Sequence, residues 1–100
     1  MKKIHIIISG KVQGVGFRYW LYQKSNERNV YGWVKNKING DVEAVLIGNY
    51  KDVDEILELC KKGPLSSQVT NIKTQNHRQE QFKKSFYILD ENKKIINEIN

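Results

Sequence analysis

Residues 10–18 read Gly-Lys-Val-Gln-Gly-Val-Gly-Phe-Arg, with glycines at 10, 14 and 16 and an arginine at 18. Glycine accepts backbone conformations that other residues avoid, so such a run folds tightly and turns several N–H groups toward one point. From Phe17 to Arg28 there is no Gly or Pro, and the stretch reads as a helix. A helix start leaves its first N–H groups unpaired and carries the positive end of the macrodipole. Arg18, one residue into that helix, adds a guanidinium fork matched to phosphate oxygens. The chemistry this pattern predicts is the holding of a phosphate group. Two better-known phosphate loops do not fit. G-x-x-x-x-G-K-[ST] fails because Gly14 comes four residues after Gly10 and Val15 follows it, and G-x-G-x-x-G would need a small residue at Tyr19. The loop therefore suits a small phosphate group rather than a nucleotide. Glycine turns also precede helices for purely structural reasons, so the loop alone leaves both readings open.

These groups need a strand before them and a helix after them. Ile4, Ile6 and Ile8 alternate ahead of the glycines, which predicts a half-buried strand over 3–9. The helix from Phe17 puts Phe17, Trp20, Leu21 and Ser25 along one face and ends near Asn29, a residue that tolerates a left-handed cap. Residues 30–37 and 41–47 are rich in β-branched and aromatic types, and Asn39-Gly40 between them signals a hairpin turn. Val53, Ile56, Leu57 and Cys60 fall at i, i+3, i+4 and i+7, which predicts a second helix. Asp52 with Glu55 resembles its N-terminal cap, and Gly63-Pro64 is its stop. Strands are expected over 69–74 and 85–89, with a polar loop or frayed strand end at 75–81. Ile95, Ile96 and Ile99 fit a short packed helix, and a frayed tail fits the same residues equally well. The order βαββαβ, with room for a last edge strand, predicts an α+β fold: a mainly antiparallel sheet with two helices on one face. One domain over 1–89 is expected, followed by a tail over 90–100.

Composition narrows the function classes. The chain has 100 residues, 39% hydrophobic and 28% charged, enough for one small core and against wholesale disorder. A lone cysteine, Cys60, excludes an intrachain disulfide and a Cys-rich zinc site, and with only His5 and His77 besides, no metal site is expected. Cys60 lies on the apolar stripe and reads as a small core residue, not a nucleophile. The run Ile4–Ile8 is shorter than the roughly 7–15-residue core of a secretory signal, and no stretch approaches the ~20 apolar residues of a membrane span. The expected location is the cytoplasm. A net charge of +6 favours anionic partners. The Lys-Lys pairs are spread along the chain, however, which reads as a solvated basic surface and not a nucleic-acid face.

The run at 10–18, then Tyr31-Gly32-Trp33-Val34-Lys35-Asn36, then Asn39-Gly40-Asp41-Val42-Glu43, resembles the acylphosphatase family. Gly48, Gly63-Pro64 and the closing Phe86-Tyr87-Ile88 fall where that family has similar residues, so the resemblance covers about residues 4–89. It implies a ferredoxin-like α/β sandwich. It also implies hydrolysis of the carboxyl–phosphate bond of small acyl phosphates to a carboxylate and inorganic phosphate, without metal or cofactor. By the same resemblance, the backbone of Lys11, Val12, Gln13, Gly14, Val15, Gly16 and Phe17 and the side chain of Arg18 hold the phosphate, and Asn36 orients the attacking water. The expected partners are therefore a small-molecule acyl phosphate and inorganic phosphate, with no nucleic acid and no membrane, and the expected state is a monomer. The assignment is chemically consistent. A carboxylate leaving group is stable near neutral pH, so no general acid is needed, and Arg with backbone N–H groups supplies charge stabilisation. A carboxamide cannot serve as a base, but it can fix a water by accepting and donating hydrogen bonds. Such a site would handle a phosphomonoester poorly, because an alkoxide leaves much less readily.

Four residues depart from the family pattern. Ser25 stands where Ala or Gly is typical, Arg28 where Leu is usual, Asn29 where Gly is common and Ser67 where Ala is frequent. Arg28 is expected to run its stem across the core edge, since its charge cannot be buried unpaired. Phe17 and Trp33 read as core aromatics. Two other classes of function compete. One is a non-catalytic acyl- or carbamoyl-phosphate-binding module, resembling the domain that opens hydrogenase-maturation carbamoyltransferases; the short stretch after Leu89 is expected to leave no room for a further domain. The other is an RNA-binding sandwich, disfavoured because Val42–Ile47 lacks the aromatics of the RNP pattern.

Overall fold

The alternating isoleucines form β1 (Lys2–Lys11) in a computed structural model that describes residues 1–78 and 81–96. After it come α1 (Phe17–Glu27), β2 (Tyr31–Asn36), β3 (Val42–Gly48), α2 (Tyr50–Lys62), β4 (Gln68–Asn76) and β5 (Phe86–Leu89). The sheet order is β4-β1-β3-β2-β5; β5 lies parallel to β2 and every other pairing is antiparallel. Each helix thus joins two parallel strands with a third strand between them, β3 inside the first unit and β1 inside the second. This is the ferredoxin-like α+β sandwich. Ile4, Ile6 and Ile8 pack with Val34, Ala44 and Leu46 of the sheet, and against Phe17 and Leu21 of α1 and Val53, Ile56 and Cys60 of α2.

Several expectations shift in detail. β1 runs on to Lys11, past a bulge between Ser9 and Gly10, which carries the strand directly into the glycine loop. β4 continues to Asn76, because pairing with β1 satisfies its backbone and an exposed edge strand does not need apolar side chains. Helix α2 is capped by Asn49, whose Oδ1 accepts from the Asp52 N–H at 2.9 Å, three residues before the cap expected at Asp52. Between β2 and β3, Lys37 N–H donates to Asp41 O at 2.8 Å around Ile38, Asn39 and Gly40. That is a three-residue turn with the glycine closing it, longer than a two-residue Asn-Gly turn.

Trp33 is not in the core beneath the helices. It alternates with buried Val34 and faces the other side of the sheet, where with Val45, Ile47, Phe82 and Tyr87 it lines a cavity of about 160 Å³. Beyond β5 the chain turns at Asp90–Lys93 and returns, with Ile95 bridging Leu89 antiparallel and Ile96 N–H donating to Ile88 O at 2.8 Å. The described part of the tail is therefore a hairpin and not a helix, and Ile99 lies outside the described residues.

Candidate active site

Gly16 is the N-cap of α1, with φ 78° and ψ 18°, and no side chain caps the helix. Gly14 is left-handed too, at φ 73°. Neither glycine has any atom within 4 Å of where a Cβ would stand, so the backbone conformation, not crowding, demands glycine there. The first turn of α1 carries no acidic residue. Trp20 is the first helical residue whose N–H finds a helical acceptor, Gly16 O at 3.0 Å; among the described residues those from Gly14 to Tyr19 have none. The loop therefore presents a run of free donors at the positive end of a helix, without a carboxylate on the helix to compete.

Gln13 fixes where that loop sits. Its Nε2 donates to Lys37 O at 2.7 Å and to Asp41 O at 2.8 Å, tying the loop to the turn that follows β2. Asn36, the last residue of β2, is thereby held close to the loop. The side chain of Gln13 thus has a structural part of its own, one not expected from the sequence. A carboxamide in a glycine loop was the only sequence signal of that clamp. Val12 and Phe17, at the two ends of the run, are buried in the core and anchor it; Lys11 pairs with Gln68 on β4.

Arg18 and Asn36 line one cavity of about 250 Å³, together with Asp90, Glu91 and Asn92. The Arg18 guanidinium has no hydrogen-bond or carboxylate partner among the described residues. Asn36 Oδ1 is buried and also unpartnered. Leaving a buried acceptor unsatisfied costs about 1–3 kcal/mol, a cost the fold carries at a residue that lines the cavity. Lys11, Val12, Gln13, Gly14, Val15, Gly16 and Phe17 are not among the cavity's lining residues. Asp90, Glu91 and Asn92 were not expected at the site; the turn-forming Asp and Asn at 90 and 92 were the signal that a hairpin begins there.

The acylphosphatase family model matches residues 4–88 of this sequence. The chain belongs to the acylphosphatase family. The acylphosphatase of Acidiphilium cryptum is 43% identical over 68 residues, 68% of this chain and 75% of that one. That of Bordetella parapertussis is 38% identical over 86 residues, 86% of this chain and 92% of its own. Among solved structures, the Bacillus subtilis acylphosphatase superposes with a TM-score of 0.84 at 36% identity, covering 89% of this chain and 99% of that one. Full-length HypF, in its phosphate- and nucleotide-bound form, superposes with a TM-score of 0.80 at 27% identity, covering 88% of this chain but 12% of HypF. With family membership comes the acylphosphatase activity, hydrolysis of an acyl phosphate to a carboxylate and phosphate. No helix among the described residues is long and apolar enough to cross a membrane.

Proposed function

We propose that this chain hydrolyses small acyl phosphates by in-line attack of a water on phosphorus, using Arg18, Asn36 and the backbone of 11–17, without a metal. The observation that carries this reading is the cavity shared by Arg18 and Asn36; the glycine loop that leads directly into Arg18 has unpaired N–H groups from Gly14 to Phe17. The phosphate rests against the loop N–H groups and the Arg18 fork, which neutralise charge on its non-bridging oxygens. The Asn36 carboxamide hydrogen-bonds the water and aims its oxygen at phosphorus. As the new P–O bond forms, the bond to the acyl oxygen breaks and its electron pair leaves on the carboxylate. The water's proton passes to a phosphate oxygen, so no protein acid or base is consumed. All of these groups come from one chain, so a monomer carries a complete site. Cytoplasmic acyl phosphates are the proposed substrates.

The test is steady-state hydrolysis of benzoyl phosphate beside a phosphomonoester, with inorganic phosphate as a competitive inhibitor. Arg18→Ala is expected to lose turnover by about 10²-fold or more, in the range seen when a charge-stabilising donor is removed, and to bind phosphate weakly. Asn36→Ala is expected to lose turnover but keep its phosphate inhibition constant, because it handles the water. Near-normal turnover in Arg18→Ala, or equal loss of phosphate affinity in both variants, would overturn this division of roles. Turnover is expected to survive a chelator. Phosphate binding without hydrolysis in the unmodified protein would instead favour a non-catalytic acyl-phosphate-binding module.

A further inference from the structure

The family match ends at residue 88, yet three of the five residues lining the Arg18–Asn36 cavity lie beyond it. Asp90, Glu91 and Asn92 sit on the hairpin that returns along β5, and that hairpin is fixed rather than loose. Asp90 N–H donates to Lys94 O at 2.8 Å and Lys93 N–H to Asp90 O at 3.0 Å. Asp90 Oδ1 accepts from the N–H groups of Asn92 at 2.9 Å and Lys94 at 2.8 Å. Ile95 closes the pairing against buried Leu89. Two acidic residues thus line the cavity, the Asp90 carboxylate fixed by its own turn, and neither forms an ion pair with Arg18, which stays available. Lys93 and Lys94 of the same turn do not line the cavity.

We propose that this hairpin is a specificity wall, and that Asp90 and Glu91 select against acyl phosphates whose acyl group carries its own negative charge, favouring uncharged or cationic acyl groups. The inference rests on the hydrolase reading above. Every substrate brings the same phosphate, so its repulsion from the two carboxylates cancels in any comparison between substrates. The charge on the acyl group does not cancel. In a cavity of about 250 Å³ that group lies within about 10 Å of both carboxylates, one Debye length at moderate salt. Selection is therefore set by field and not by a contact.

The experiment compares three substrates built on one ring: benzoyl phosphate, its 4-carboxy derivative and its 4-aminomethyl derivative. kcat/KM is measured for the wild type, Glu91→Gln, Glu91→Lys and Asp90→Asn at low and high salt. Asp90→Asn keeps an oxygen to accept the turn's N–H groups, and Glu91 is exposed, so the fold is retained; thermal midpoints check this. The carboxy-to-benzoyl ratio is expected to rise about twofold to threefold in each neutral variant and about fivefold to tenfold in Glu91→Lys, with the aminomethyl ratio moving the opposite way. High salt should flatten these differences. Unmoved ratios in Glu91→Lys at low salt, with benzoyl phosphate still turned over, would overturn the wall and leave the hydrolase reading standing. Failure of the wild type to hydrolyse benzoyl phosphate would overturn both.

Discussion

Ser25 and Asn36 share one defect, a buried polar oxygen with no hydrogen-bond partner, and they differ in what surrounds it. Asn36 is a lining residue of a cavity that a substrate and water can fill. Ser25 sits fully buried on α1, on the helical face it shares with Leu21, where solvent does not reach its hydroxyl. A hydroxyl desolvated without a partner destabilises by about 1–3 kcal/mol. Ser25→Ala removes that group and improves helix propensity, so it is expected to raise stability by about 1 kcal/mol without touching the site. Urea unfolding checks this: the midpoint should rise with an unchanged slope, and benzoyl phosphate turnover should match the wild type. A lower midpoint would show that the hydroxyl is satisfied or that its volume is needed. Arg28, the other odd residue of this helix, has solved its problem. It is only half-buried, and its Nε donates to Glu55 Oε2 at 3.2 Å, tying the end of α1 to α2. That partner is remote in sequence and so invisible to local pattern.

Helix α1 is asymmetric at its two ends. Its start is left uncapped by side chains, which is what an anion site requires, while its finish is closed by backbone hydrogen bonds. Val30 N–H donates to Ser25 O at 2.9 Å and Asn29 N–H to Asn26 O at 3.4 Å, with Asn29 at φ 54°: a Schellman close with asparagine in the position glycine favours. Asn29→Gly relieves the left-handed strain and is expected to stabilise by about 0.5–1 kcal/mol, read as a higher thermal midpoint with unchanged kinetics. An unaltered or lower midpoint would mean that the asparagine side chain compensates for its backbone. This end of the helix was legible because a short motif, Asn before a β-branched run, carries it locally. β1, α2 and the βαββαβ order were legible for the same reason, through Ile4, Ile6 and Ile8 at period two and Val53, Ile56 and Cys60 at helical spacing. The extension of β4 to Asn76 was not, because Thr74, Gln75 and Asn76 are exposed and their strand exists through backbone pairing with β1. The hairpin at 90–96 was hidden behind three isoleucines whose spacing suits a helix. At the site, Arg18 and the loop could be read from residue chemistry, and Asn36 only through resemblance. The Gln13 clamp and the acidic wall depend on where distant turns meet.

At the scale of the molecule, the centre of the sheet is covered on both faces. The helices bury one side, and Trp33, Phe82 and Tyr87 shelter Val45 and Ile47 on the other, so the central strand β3 has buried residues on both faces. Cys60 lies deep in the helix-side core, and burial pushes its thiol up from 9.0 to about 12. In the unfolded chain the same thiol ionises at its ordinary value. Between about pH 9 and 12 the unfolded state has released a proton that the folded state still holds, so folding stability must fall as pH rises through that window, by up to about 1.4 kcal/mol per pH unit. The fall is assigned to the thiol by difference. Replacing Cys60 by Ala lowers stability at neutral pH by a fixed amount, from the small cavity left behind, but it abolishes this proton linkage. Urea midpoints taken from about pH 8 to 10.5 should consequently decline more steeply for the wild type than for Cys60→Ala, and the two curves should converge. Parallel curves would mean that the thiol ionises as readily in the folded core as in water, and that the core around α2 admits solvent. The same burial makes the native thiol slow to react with a disulfide reagent, its labelling limited by unfolding and accelerating as alkali erodes stability.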